Sequence, residues 1–193
     1  MQRFDRAQII RFLHALDLFL EDNLAIFVVG GLAAVLGYHA DIKTADMDVL
    51  TITEGSAADL KQAARQAFKL TGIDFSIGGA SIAELPYNYE DRVRPARGTR
   101  FHKLTVTVPD KYDLVLSKAL RCYAHDLEAI HSVHDHHHLS EKTLAARFET
   151  GFWKIATTDP RNFALNMFVV MGTLFGEERA AFYKIRWGLD RSR

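Results

Sequence analysis

The spacing of hydrophobic and polar residues along the first 110 positions predicts helices that alternate with strands. Apolar residues between Asp5 and Asp22 recur at helical spacing, and Asp5 can cap that helix. A second helix of this kind begins after Ser56 and runs to about Lys69. The predicted strands are residues 25–29, 47–52, 73–77 and 102–108, and a short helix at 32–38 follows the first strand.

The second half of the chain has helical patterns only. One long helix is predicted over residues 110–130, and the chain from Ser140 onward reads as helical, with Asp159 and Pro160 as an N-cap and first-turn pair. The histidine-rich stretch at 131–139 is interpreted as a hinge. This order of elements predicts an α/β fold. Its sheet domain covers residues 1–130, and a C-terminal helical part, residues 131–193, packs on it.

Composition narrows the class of protein. The chain has 193 residues, 24 basic and 24 acidic side chains, and a formal net charge of zero, so no overall field attracts it to nucleic acid or membrane. The single cysteine excludes an internal disulfide and fits a reducing compartment. No apolar run reaches the roughly 18 residues of a membrane span. We expect a soluble, cytoplasmic protein without a membrane partner.

Two features close together in the sequence suggest a site that binds a metal ion and a phosphate. Asp46 and Asp48 are two residues apart at the start of an apolar strand, so their carboxylates point to the same side of the sheet and can share a divalent cation. Gly30 and Gly31 end the preceding apolar run and begin a short helix, where free backbone N–H groups suit a phosphate. A metal-binding site beside an anion-binding turn predicts phosphoryl or nucleotidyl transfer from a magnesium-bound nucleotide.

The same residues resemble a known family. Gly30-Gly31, a short helix, and then Lys43-Thr44-x-Asp46-Met47-Asp48 resemble the nucleotidyltransferase (DNA polymerase β-like) superfamily. A second block over residues 109–127 resembles the helix that follows the catalytic sheet in the stand-alone, toxin–antitoxin-associated members related to the AbiEii toxins. The resemblance implies a small mixed sheet flanked by helices. It also implies Mg²⁺ (or Mn²⁺) as cofactor and a nucleoside triphosphate as substrate.

The resemblance also implies roles for particular residues. Asp46, Asp48 and Asp74 would be the catalytic and metal-binding carboxylates, with Asp74 on a neighbouring strand. The nucleotide-binding residues would be Gly30, Gly31, Lys43, Thr44, Lys118 and Arg121. For Lys118 and Arg121 the alternative is a basic helix face in solvent. For Asp74 the alternative is a polar residue at a strand start.

Three functions are compatible with these patterns. The first is transfer of a nucleoside monophosphate to a hydroxyl of tRNA or of a protein, as the toxin-like member of a toxin–antitoxin pair with a cognate antitoxin. The second is a catalytically inactive module of the same fold that binds nucleotide or a partner protein. The third is a metal-binding scaffold around the histidines at 131–138, although a solvated loop is the simpler interpretation. The arginine-rich loop at 78–100 could contact phosphates or lie in solvent.

Overall fold

The chain forms two compact units in a computed structural model that describes residues 2–79, 84–98, 100–152 and 159–190. The first unit contains residues 1–83 and 90–110, and the second contains residues 84–89 and 111–193. The division therefore lies at Asp110 rather than at residue 130. Parts of the arginine-rich loop (80–83 and 99) and of the predicted helical region (153–158 and 191–193) lie outside the described residues.

The first unit is built on a mixed sheet. Its strands among the described residues are β1 (Leu24–Val28), β2 (Asp46–Glu54), β3 (Ser76–Gly79), β4 (Arg94–Pro95) and β5 (Leu104–Val108). They lie in the order β3-β2-β1-β5-β4. β1 runs parallel to β5 and antiparallel to β2, while β2 and β3 are parallel. β2 therefore has a neighbour on each side, as expected for the strand with the paired aspartates.

The described residues of this unit contain three α-helices, and the first and third begin at local capping signals. They are α1 (Arg6–Leu18), α2 (Gly30–Tyr38) and α3 (Ala57–Thr71). The Asp5 side chain accepts a hydrogen bond from the Gln8 N–H, and the Gln8 side chain accepts one from the Asp5 N–H, which completes a capping box. Ser56 caps α3 by accepting from the Asp59 N–H. The predicted fold class, an α/β sheet flanked by helices, is confirmed.

Two details of this unit differ from the sequence prediction. α1 ends at Leu18 instead of Asp22. In its last turn, the Asp17 carboxylate points inward and accepts hydrogen bonds from three successive backbone N–H groups at the start of β5. Phe68 was expected to face the core but is 44% exposed, since the buried face of α3 consists of Leu60 and alanines.

The second unit is helical in the residues that the structure describes. Its helices are α4 (Lys111–Arg121), α5 (Ala124–His137), α6 (Glu141–Arg147), α7 (Pro160–Phe175) and α8 (Glu177–Arg186). The predicted single helix over 110–130 is wrong, because Cys122 adopts a left-handed backbone (φ 53°) and ends α4. Tyr123 is then the N-cap of α5. The break turns the chain so that the first turn of α5 returns to the last turns of α4.

The histidine-rich stretch is not a hinge. Residues 131–137 complete α5, and His138 ends the helix in a left-handed conformation. His131 pairs with Asp135 one turn later, but the described residues contain no group of three or more His, Cys, Asp or Glu side chains that could hold a metal. Among the described helices, none combines the length and apolar character that a membrane span needs.

Candidate nucleotide and metal site

The paired aspartates lie on one face of β2, as their spacing predicts. Asp46 and Asp48 are partly buried and alternate with Met47 and Val49, which are buried on the opposite face. Val49 pairs with Val28 of β1, at the end of the strand that leads into the glycine turn. The strand therefore holds two carboxylates side by side at the sheet position where α2 begins.

The glycine turn lies directly against one of these carboxylates. The Val29 N–H donates to the Asp48 carbonyl oxygen over 3.0 Å, which joins the turn to β2. Gly30 has a left-handed backbone (φ +67°), and a Cβ added to it would lie only 2.7 Å from Asp48 Oδ2. Only glycine avoids both the backbone strain and this overlap. The sequence therefore keeps the acid and the turn in close contact.

The second glycine lies against Thr44 in the same way. A Cβ added to Gly31 would lie 2.8 Å from Thr44 Oγ1. The Thr44 hydroxyl is 3.4 Å from the Asp46 carbonyl oxygen, and its backbone exchanges two hydrogen bonds with Phe4. The N-terminal segment thus fixes the loop before β2, a contribution that no local sequence pattern indicates. Lys43 is exposed beside this loop.

The start of α2 has the features of an anion-binding site. Its N-cap residue, Val29, makes no side-chain capping hydrogen bond. The first turn of the nine-residue helix contains Gly30 and Gly31, and the first N–H groups of a helix have no partner within the helix. These amides, the partial positive charge of the helix N-terminus and the absence of a glycine side chain together favour a phosphate at this position.

Asp74 is not brought to this pair. The strand predicted at 73–77 begins only at Ser76, so Asp74 lies before β3 and is exposed. It lines a pocket together with Phe12 of α1 and with Lys61 and Arg65 of α3.

The residues of β3 that do face the pair lack a carboxylate. β2 and β3 are in parallel register, with Ser76 beside Asp46 and Gly78 beside Asp48. No cluster of three metal-binding side chains occurs in the described part of the chain. The predicted three-carboxylate arrangement therefore reduces to two carboxylates there.

Lys118 and Arg121 lie in the helical unit, where both contact Asp126. Asp126 is fully buried, and its Oδ1 is 3.1 Å from Lys118 Nζ and 2.9 Å from an Arg121 guanidinium nitrogen. Lys118 is itself only 4% exposed. Burial raises the pKa of Asp126, but the two cations outweigh it and hold the pKa below its usual value. The alternative interpretation, a basic helix face in solvent, is therefore wrong for Lys118, whose ammonium group has a buried partner. Its role at the nucleotide stays a prediction.

A second buried ion pair completes this pattern. Asp113 of α4 is fully buried and accepts a 2.7 Å hydrogen bond from Arg147 of α6. Four charged residues of the second sequence block (Asp113, Lys118, Arg121 and Asp126) thus all take part in ion pairs within the helical unit. Sequence reasoning assigned no role to Asp113 and Arg147. Arg147 is 34 residues from its partner, so only the fold could reveal the pair.

Comparison with known families agrees with the resemblance to nucleotidyltransferases. A family described as "Nucleotidyltransferase of unknown function (DUF6036)" matches residues 8–169, which include both the acid pair and the buried ion pairs of α4. No curated protein and no solved structure gives a significant match. Because the family match covers most of the chain, this protein belongs to that family of nucleotidyltransferases of unknown function.

Proposed function

We propose that this chain transfers a nucleoside monophosphate from a nucleoside triphosphate to an acceptor hydroxyl, with Mg²⁺ as cofactor. The observation that carries the proposal is the contact between the Asp48 carboxylate and Gly30. This contact supports the proposal because a carboxylate that could bind a metal lies beside a turn whose N–H groups could bind a phosphate, and a metal–triphosphate complex needs both.

The donor set fits the proposed metal. Asp46 and Asp48 offer carboxylate oxygens on one face of a strand, and Mg²⁺ is commonly held by one or two carboxylates together with substrate phosphates. Both side chains are partly exposed, so water and a triphosphate can reach them. When bound, the metal would neutralise phosphate charge during the displacement.

The remaining residues would position the nucleotide. The N–H groups of Gly30 and Gly31 would donate to phosphate oxygens, and Thr44 and Lys43 border the same turn. In the reaction, the acceptor oxygen forms a bond to the α-phosphorus, the bond to the pyrophosphate oxygen breaks, and the hydroxyl proton leaves. Since Asp74 lies elsewhere, we propose that this proton passes to solvent or to a group of the acceptor.

A second function is favoured by one observation. The described residues bring together two carboxylates rather than three, which would suit a module that binds a metal–nucleotide complex without transferring from it. The experiment is to mix the protein and Mg²⁺ with each α-labelled nucleoside triphosphate, and with bulk tRNA or lysate protein as acceptor. Labelled acceptor supports transfer, and nucleotide binding without labelled product supports the module.

Substitution of single aspartates tests which carboxylates the transfer requires. Asp46→Asn and Asp48→Asn should abolish labelling, whereas Asp74→Asn is the matched control and should retain it, because Asp74 lies away from the pair. Equal loss in all three variants would refute the two-carboxylate site. The relation to AbiEii toxins, a cognate antitoxin, and roles for Lys118 and Arg121 at the nucleotide remain predictions. Co-expression growth assays and nucleotide titrations of the variants would test them.

A further inference from the structure

A pocket on the first unit combines aromatic walls with a basic rim. It has a volume of about 190 Å³ and is bounded by α1, α3 and the residues leading into β3. Its aromatic walls come from Phe12, Phe68 and Phe75, and Phe68 remains 44% exposed at its edge. We call this pocket and its rim the basic groove. An exposed aromatic beside an open apolar pocket is the kind of surface that a partner covers.

The charges on this groove are available for a partner. Lys61 and Arg65 are exposed, lie one helical turn apart on α3, and both line the pocket. Neither makes an ion pair or side-chain hydrogen bond with another described residue, and the same holds for Asp74, the one carboxylate in the lining. Two cations against one carboxylate leave the rim with a net positive charge.

The same unit has a surface of the opposite charge at the end of α1. Leu18 is 72% exposed and Phe19 is 40% exposed. The carboxylates around them are Glu21, Asp22 and Asp59, which together with Phe19 line a shallow depression. Lys103 is the nearby cation, and its ammonium group donates to the carbonyl oxygens of residues 20 and 21. Three carboxylates against one cation leave this surface acidic, and we call it the acidic knob.

We propose that the acidic knob of one copy of this chain occupies the basic groove of a second copy. A cavity of about 150 Å³ can hold benzene, so a pocket of about 190 Å³ has room for the side chain of Leu18, which is 72% exposed at the end of α1. The carboxylates of the knob then face Lys61 and Arg65. In a two-fold dimer each copy supplies one knob and one groove, so the contact between knob and groove forms twice.

Charge reversal on either surface tests this pairing by analytical ultracentrifugation. The wild-type chain should show a concentration-dependent monomer–dimer equilibrium. Lys61→Glu with Arg65→Glu makes both surfaces acidic, and Glu21→Lys with Asp22→Lys makes both surfaces basic. Each double variant alone should raise the dimer dissociation constant about tenfold or more, since opposed charges become like charges. Mixed in equal amounts, the two variants should form a heterodimer, because every knob again meets a groove of opposite charge.

Controls make each outcome decisive. Arg94→Glu with Lys142→Glu makes the same change in net charge as the groove variant at exposed positions that line neither surface, and it should dimerise like the wild type. Thermal melts monitored by circular dichroism will confirm that each variant is folded. A wild-type chain that stays monomeric up to several hundred micromolar would overturn the proposal, and so would dimers that survive both reversals. Reversal variants that do not associate on mixing would also overturn it.

Discussion

The contact between Gly30 and Asp48 gives the most direct test of the candidate site. Gly30→Ala should destabilise the fold for two separate reasons. An L side chain in the left-handed region costs roughly 1–2 kcal/mol. The added Cβ would also lie 2.7 Å from Asp48 Oδ2, and relieving such overpacking typically costs about 1–3 kcal/mol. We therefore expect a loss of about 2–5 kcal/mol in the free energy of unfolding.

Gly72 is the matched control for this substitution. It has nearly the same backbone angle (φ +70°), but nothing lies within 4 Å of an added Cβ. Gly72→Ala should therefore cost only the backbone contribution of roughly 1–2 kcal/mol. The difference between the two variants isolates the contact with the carboxylate. Adding Asp48→Ala to Gly30→Ala should recover that difference, since the Cβ of residue 48 is 3.9 Å away, an ordinary contact.

Urea denaturation followed by circular dichroism measures these stabilities, and calorimetric titration with a magnesium–triphosphate complex measures binding. If the proposed function is correct, Gly30→Ala should weaken nucleotide binding by about tenfold to a hundredfold, because it displaces a carboxylate and an amide that would each make charge-assisted contacts with the metal–triphosphate complex. Gly72→Ala should bind normally. Equal destabilisation by the two glycine substitutions, or normal nucleotide binding by Gly30→Ala, would refute the reasoning.

Three further predictions concern buried charges. Asp17→Ala should lower the free energy of unfolding at pH 7 by about 2–4 kcal/mol, because three backbone N–H groups lose their acceptor. Burial raises the pKa of Asp17, but those N–H groups outweigh it and the pKa is lowered. The stabilisation by Asp17 is therefore complete above the pKa of about 4 that the carboxyl group has in the unfolded chain, and it is lost as the pH falls through the lower pKa of the folded state. Urea titrations should show a larger difference in unfolding free energy between wild type and Asp17→Ala at pH 7 than at acid pH. Lys118→Ala should cost about 3–5 kcal/mol in urea, because Asp126 keeps a buried charge with one cation fewer, and an unchanged midpoint would contradict this. His134 packs edge-on against Phe175 with its Nδ1 buried and without a partner among the described residues. Burial lowers the pKa of His134 and outweighs the opposing effect of Asp135. The wild type should therefore lose stability as the pH falls below about 6.5, and His134→Phe should reduce this loss in thermal melts at pH 7 and pH 5.

The ion pairs of α4 change the interpretation of the second sequence block. The resemblance placed Lys118 and Arg121 at the nucleotide, while the structure gives both a shared buried carboxylate. A residue can be characteristic of a family because it stabilises the fold as well as because it binds the substrate. Comparing the stability of Lys118→Ala with its nucleotide affinity separates these two roles.

Features that depend on nearby residues could be predicted from the sequence. The capping box at Asp5, the caps at Ser56 and Asp159, and the shared face of Asp46 and Asp48 follow from helical and strand periods and from hydrogen bonds within three residues. The Gly30-Gly31 turn was predicted as well, because a strand ending in two glycines before a short apolar helix has few other conformations.

Features that depend on distant partners were decided only by the tertiary structure. No glycine or proline marks the helix break at Cys122, yet this break brings Asp126 to Lys118, eight residues earlier. The register of β3 on β2 places Ser76 and Gly78, rather than Asp74, beside the aspartates. Periodicity and capping act over a few residues, whereas ion pairs and strand register depend on which distant surfaces pack together, and that information is spread over the whole chain.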